Sequence, residues 1–201
     1  MNVAPVTLEG GVVRLEPLAL EHHRQLSEVA LDPELWRWGL TMMRTAEDLK
    51  SYIETALAER AVGRSMPFAV IEKSGGRAIG STRYANIELA QRRLEIGWTW
   101  YGRAWQRTAC NTECKLLLLG HAFEVLGCQR VELKTDVLNT RSRTAILRLG
   151  AKEEGVFRKH GVAWDGRVRD SVYYSIVDDE WPEVKRRLEG HLSNPRRPAT
   201  I

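Results

Sequence analysis

The residues with the clearest chemical potential lie between Gly102 and Thr112. The stretch Gly102-Arg103-Ala104-Trp105-Gln106-Arg107-Thr108-Ala109-Cys110 leads from a strand into a helix that the pattern starts at Asn111. A helix start presents backbone N–H groups that the helix cannot use itself. Together with the helix dipole they form a site for an anion. Arg103 and Arg107 add positive charge, and Thr108 and Thr112 add hydroxyl donors. A pyrophosphate suits this set of donors. Threonine and asparagine at a helix start also serve simply as caps, so both readings stand on these residues alone. Cys110, Cys114 and Cys128 are odd in number and match no zinc spacing, which reads as reduced thiols rather than a metal site. His121 falls inside the helix and reads as a structural, partly buried histidine, while His22 and His23 read as surface residues.

Such a site needs a strand before the helix and another after it. The segment Arg92–Tyr101 alternates, with Leu94, Ile96, Trp98 and Trp100 expected on one face. The helix Asn111–Leu126 has an apolar stripe of Leu116, Leu119, Ala122, Phe123 and Leu126, and Gly127 stops it. Arg130–Asp136 reads as the returning strand. The run Leu94–Asp136 thus has the length of a βαβ unit with two parallel strands. Before it, Gly10-Gly11 marks a hairpin between 6–8 and 12–15, and Glu21–Leu31 reads as a helix ended by Asp32-Pro33. Thr45 and Asp48 form a capping box for a helix ending near Gly63. Met66–Glu72 and Ala78–Glu88 are strands around Gly75-Gly76. After it come a helix Thr140–Leu149 closed by Gly150, and a hairpin of Glu154–Ala163 with Val168–Val177 across Asp165-Gly166. Asp178 or Asp179 is expected to cap a last helix with Pro182 in its first turn. The expectation is one α/β domain over residues 1–192, with a mostly antiparallel sheet, and a mobile, Pro- and Arg-rich tail over 193–201.

Composition excludes little. The net charge of +4 comes from 30 basic and 26 acidic residues, well mixed, so specific nucleic-acid binding is not expected. No apolar run approaches the roughly 18–20 residues that span a bilayer. The start, Met1-Asn2-Val3-Ala4-Pro5, lacks a basic and apolar leader pattern, and a cytoplasmic protein without a membrane partner is expected.

The chain resembles the GNAT acetyltransferases over Leu8 to Leu188, in particular the RimJ/RimL-like branch. The family's Gln/Arg-x-x-Gly-x-Gly/Ala loop is matched by Gln106-Arg107-Thr108-Ala109-Cys110-Asn111. Ala109 stands where the first glycine is usual, so the loop must keep helix-like backbone angles there. Thr112-Glu113-Cys114-Lys115 resembles the branch's Thr-Glu-Ala helix opening. Asn139-Thr140-Arg141-Ser142 followed by Leu149-Gly150-Ala151 resembles the family's Asn-x-x-Ser…Leu-Gly element.

The resemblance implies a fold in which the two parallel strands, here Ile96–Trp100 and Leu133–Asp136, splay apart and are flanked by helices. It implies acetyl-CoA as cosubstrate, with no metal. Gln106, Arg107, Thr108, Ala109, Cys110, Asn111 and Thr112 would wrap its pyrophosphate. Trp98, Thr99 and Trp100 would bond its pantetheine arm, with an N–H near Trp98 or Thr99 at the thioester carbonyl. Asn139 would bond the same arm, and Ser142 would lie near the thioester. Both residues also suit helix capping. The acceptor is a primary amine, of a protein or peptide N-terminus or of a small molecule, and a non-catalytic CoA-binding module is the reading from another class. An amine acceptor requires a base, for which Glu95 is the first candidate and Glu113 and Glu132 are weaker ones; pairing of Glu95 with Arg92, Arg93 or Arg130 is the structural alternative. The family's usual tyrosine acid is replaced by Ile146, which leaves Ser142 or water to protonate the thiolate. Trp36 and Trp38 fall where the family borders its acceptor groove, or else pack on the core. Hairpin 158–169 reads as solvated. Family members are often homodimers.

Overall fold

The computed structural model describes residues 1–194. Positions 195–201, most of the stretch expected as a tail, lie outside the described residues, and Ser193 ends the last helix. In chain order the elements are β1 (Leu8–Glu9), β2 (Val13–Pro17), α1 (His23–Ala30), α2 (Ala46–Ala61), β3 (Ser65–Glu72), β4 (Arg77–Glu88) and β5 (Arg93–Tyr101). There follow α3 (Ala109–Gly120), β6 (Arg130–Asp136), α4 (Thr140–Leu149), β7 (Lys152–Val162), β8 (Val168–Val177) and α5 (Trp181–Ser193). The eight strands form one sheet in the order β1-β2-β3-β4-β5-β6-β8-β7. All neighbours are antiparallel except β5 and β6, which run parallel. That exception follows from the helix between them, since a parallel pair needs a crossover.

Each face of the sheet carries its own apolar layer. Leu94, Ile96, Val131, Leu133, Val172 and Tyr174 meet Cys114, Leu118 and Ala122 of the α3 region and Trp181 and Leu188 of α5. On the other face Ala69, Ile71, Ala78 and Trp100 meet Leu26 and Ala30 of α1 and Leu49, Ile53 and Ala56 of α2. Thr45 caps α2 as its spacing with Asp48 predicts: its hydroxyl accepts from Asp48 N at 3.1 Å, and the Asp48 carboxylate accepts from Thr45 N at 2.9 Å.

Two helix ends differ from the sequence reading. The long helix expected up to Leu126 ends as α-helix at Gly120 and continues as one wider turn over His121–Val125, closed by the Leu126 N–H on the His121 carbonyl at 2.9 Å. Asp178 and Asp179 do not cap α5; they form a short 3-10 turn that runs straight into Trp181.

Glu113 stitches α3 to the start of the chain. Its carboxylate accepts the backbone N–H groups of Gly11, Val12 and Val13 at 2.8, 2.7 and 2.6 Å. That engagement is structural and removes Glu113 from the candidate bases. The three cysteines are free and buried. Burial raises all three thiol pKa values, that of Cys114 to about 12 and that of Cys128 to about 11.

Candidate active site

Strand β5 carries the centre of the site. Its ladder with β6 lasts from Arg93–Arg130 to Glu95–Glu132 and stops there, although β5 runs on to Tyr101 and β6 to Asp136. Beyond Glu95 the facing backbone groups are left for another partner. On the opposite edge of β5, Ser81 pairs with Trp100 and Arg83 with Gly97. Trp98 and Thr99 therefore oppose Thr82 alone, which is a β-bulge. Trp98 adopts φ 49°, a region that a bulky side chain enters only under constraint. The extra residue reverses the alternation of the strand. Leu94 and Ile96 lie under α3, but Trp100 lies in the α1–α2 layer. The single face expected for Leu94, Ile96, Trp98 and Trp100 is thus broken at the bulge.

Two helix starts flank the open ladder. Helix α3 begins at Ala109, ahead of the expected Asn111, because Thr108 is the cap: its hydroxyl accepts from Cys110 N at 3.3 Å and donates to the Trp105 carbonyl at 2.8 Å. Ala109 sits in the first helical turn, where no glycine is needed. The left-handed residue of the loop is Arg107, with φ 61°. Gln106 donates to the Tyr101 carbonyl at 3.1 Å and accepts from Arg141 of α4 at 2.9 Å, so it ties the two helix starts together. Arg107 makes no ion pair among the described residues, whereas Arg103 turns away to Asp32 at 3.1 Å. The side chains of Asn111 and Thr112 are engaged within the protein, by Tyr101 at 3.3 Å and Arg148 at 3.4 Å, which leaves backbone N–H groups as what this turn offers a ligand. Asn139 caps α4 by accepting from Ser142 N at 3.0 Å, and Ser142 is half-buried in that helix's first turn.

The face of β5 away from α3 holds the ionisable groups. Glu95 is 2% exposed. Its Oε2 accepts from Asn86 at 2.8 Å and pairs with Lys134 Nζ at 2.9 Å, rather than with Arg92, Arg93 or Arg130. Burial works against the Lys134 ammonium, but Glu95 and Tyr173 outweigh it and hold its pKa above the ordinary lysine value. Gly97 leaves room for the Glu95 carboxylate: a Cβ there would stand 2.8 Å from Glu95 Oε1 and push it aside. The Trp98 ring, 40% exposed, has the Arg83 guanidinium at 5.0 Å and the Lys134 ammonium at 5.7 Å. Arg83 also lies 5.1 Å from the Tyr52 ring and pairs with Glu59 at 2.8 Å. At the end of β6, fully buried Asp136 accepts from Arg167 at 2.6 Å, with Arg169 Nε at 3.9 Å. Glu132, the other weak candidate base, is held by Arg130 at 2.9 Å and Arg93 at 3.4 Å.

Trp38 and Trp36 separate. Trp38 is half-buried and stacks near Arg167, which is 5.6 Å from its ring, while its carbonyl accepts from Arg169 at 3.3 Å. Trp36 is a core residue: its indole N–H donates to the Ala30 carbonyl at 2.6 Å and its ring lies 5.4 Å from that of Trp100. It presents no open face to an acceptor.

Sequence reading missed Arg83, Lys134, Asp136 and Lys115. Lys115 lies on the buried face of α3 and donates to Thr99 Oγ1 at 2.9 Å, with Thr82 Oγ1 2.8 Å from the same hydroxyl. Burial lowers its pKa to about 8. A signal existed: Lys115 lies three and four residues before Leu118 and Leu119, inside the apolar stripe of its helix.

Comparison with known proteins identifies the family. The family model for the acetyltransferase (GNAT) domain matches residues 13–152. A solved GCN5-related N-acetyltransferase from Brucella melitensis is 30% identical, with TM-score 0.89 over 98% of this chain and 90% of that one. A Bacillus subtilis (strain 168) protein named "Putative ribosomal N-acetyltransferase YdaF" is 33% identical over 110 residues, which is 55% of this chain and 59% of the relative. Mycobacterium smegmatis RimJ, solved in complex with CoA-disulfide, is 24% identical and shares the fold, with TM-score 0.77 over 93% of this chain and 92% of that one.

Proposed function

The chain belongs to the acetyltransferase (GNAT) domain family, and on that premise we propose that it moves an acetyl group from acetyl-CoA to the α-amine of a protein or peptide N-terminus. The observation that carries this reading is the ladder broken at Glu95–Glu132 beside the bulge at Trp98. Acetyl-CoA brings an acyl group already activated as a thioester, so the chain has to bind it, orient it and manage protons.

The donor set matches the chemistry of that molecule. The loop Gln106-Arg107-Thr108 and the first-turn N–H groups of Ala109 and Asn111 would hold the diphosphate, with Arg107 supplying charge. The free edge of β5 over Trp98, Thr99 and Trp100 would bond the amides of the pantetheine arm, with Asn139 and Ser142 across the gap. An N–H at the bulge is suited to a developing oxyanion, because the backbone there is fixed and cannot relax away. An α-amine has a pKa of about 8 and must shed a proton to attack. Glu95 is assigned as the base that takes it, directly or through water. Asn86 and Lys134 anchor one oxygen of Glu95 and fix its direction. Ile146 carries no transferable proton, so return of a proton to sulfur falls to Ser142 or water. Attack is direct, within a complex of both substrates.

A protein acceptor is supported by the relative named as ribosomal and by the face that Trp38 and Trp98 border. The test is release of coenzyme thiol from acetyl-CoA with unmodified peptides, with the same peptides blocked at the N-terminus, and with small amines. Turnover confined to free N-termini is expected. Turnover with small amines alone would replace the acceptor assignment, and none with any amine would leave a CoA-binding module.

A further inference from the structure

Helix α3 buries one cation that the proposed reaction does not use. Lys115 is 5% exposed, and its ammonium makes no ion pair among the described residues. It donates to Thr99 Oγ1 at 2.9 Å, and Thr82 Oγ1 lies 2.8 Å from that hydroxyl. The groups that meet it from β4 and β5 are thus neutral. On its own helix the Cys114 thiol is held protonated, with its pKa pushed up to about 12. The Glu113 carboxylate is taken up by the backbone N–H groups of Gly11, Val12 and Val13.

Burying an ammonium without a counter-charge is costly, and a methionine of similar length would fill the space without that cost. Lysine at position 115 therefore works against the stability of the fold. Its place in the sheet shows what it can serve instead. Thr99 is one of the two residues of β5 that oppose Thr82 alone, and it lies beyond Glu95, where the ladder with β6 is open. The hydroxyl and the amide nitrogen of one threonine are at most about 4 Å apart, so the ammonium sits within about 7 Å of the Thr99 N–H. We propose that Lys115 is a positioning residue for acetyl transfer: through the Thr99 hydroxyl it fixes the bulge, and its positive charge stabilises the negative charge that forms on the acetyl group there. This inference rests on the acetyl-transfer reading and adds a residue to the same site. As the amine nitrogen bonds to the acetyl carbon, the π pair of the carbonyl moves onto oxygen. It returns as the C–S bond breaks and that bond's pair leaves on sulfur. Lys115 keeps its proton throughout. Its part is charge, which counts for more in a buried setting than in water.

Burial pulls the pKa of Lys115 down to about 8, so it is charged at neutral pH and loses that charge just above. The experiment measures kcat with both substrates saturating, from neutral pH to about pH 10, for the full chain and for Lys115→Met. The wild-type kcat is expected to fall as pH rises through about 8. In Lys115→Met that fall should vanish. Its kcat at neutral pH should be lower by about ten-fold or more, the size of one charge acting over such a distance inside a protein. Its affinity for acetyl-CoA, read by calorimetry, should stay within about two-fold, since the ground-state carbonyl is neutral. A lysine that merely packs the helix would change kcat alike at every pH and leave the shape of the profile as it was.

Two further measurements do not depend on turnover by a variant. Calorimetry gives the affinity ratio of CoA to desulfo-CoA at about pH 8, near where a thiol ionises. A positive charge beside the sulfur favours the thiolate, so the ratio should be several-fold smaller in Lys115→Met. In the wild type, the titration of Lys115 followed by NMR of isotope-labelled lysines should match the fall in kcat. A fall that persists in Lys115→Met, an affinity ratio the same in both proteins, or a lysine titration more than about one pH unit away from the fall would each overturn the proposal. No turnover by the wild type with any acceptor would instead overturn the transfer reading on which it rests.

Discussion

At the residue scale, Glu95 and Lys115 make opposite demands on the protein. Glu95 is the proposed base, and Glu95→Gln should lower kcat by about 100-fold or more, the range of a lost general base. CoA affinity, read by calorimetry, should hardly change; an unchanged pH–rate profile would count against the role. Lys115 is a buried amine whose one hydrogen bond among the described residues is to a neutral hydroxyl. Its folded pKa is depressed to about 8, below the unfolded value. Between those two values the unfolded chain binds more protons, so stability rises with pH through about 8 to 10. Lys115→Met should remove that slope and raise stability at neutral pH by a few kcal/mol, at about 1.4 kcal/mol per unit. Denaturant melts from pH 7 to 10 check both. Glu95 was singled out as a candidate by its place on β5, where alternation sets it opposite Leu94 and Ile96. Its partner was not, because Lys134 lies on a neighbouring strand and only the pairing register brings them together.

At the element scale, β5 shows where pattern reading ends. Its boundaries and parallel partner follow from alternation and the crossover helix, but its bulge does not. Period-two arithmetic assumes an uninterrupted strand, and one inserted residue sends Trp100 to the opposite layer from Ile96. Gly80 permits this close passage of β4 and β5: an added Cβ would overlap the Trp100 carbonyl oxygen. Gly80→Ala should therefore cost about 1–3 kcal/mol, read as a lowered melting temperature, and reduce kcat as the bulge shifts. The α3 loop gives a different signature. Arg107→Ala should weaken CoA binding several-fold, and by less at high salt, since the lost contribution is a screened charge. A salt-independent loss would point to the left-handed turn at Arg107 instead.

At the scale of the molecule, the order of elements was readable almost throughout, because turn residues and apolar periods mark each one. What joins distant elements was not. Glu113 links α3 to the turn before β2 across about a hundred residues, and no local pattern announces three backbone donors converging on one carboxylate. Glu113→Ala should destabilise the fold by about 3 kcal/mol, because the buried Val13 N–H is left unmet and the bonds to Gly11 and Val12 are lost with it. Binding of CoA by the fraction that stays folded should persist. The same distance effect explains Trp36, whose sequence neighbours suggest a loop but whose ring fills the α1–α2 layer.

The buried cysteines bear on how any of this can be observed. Only a thiolate attacks an aromatic disulfide reagent at a useful rate, and Cys110, Cys114 and Cys128 are both enclosed and held protonated. The folded protein should be silent toward such a dye while coenzyme is scored continuously. A slow colour change with no acceptor present would then report unfolding, so one cuvette reads turnover and integrity together.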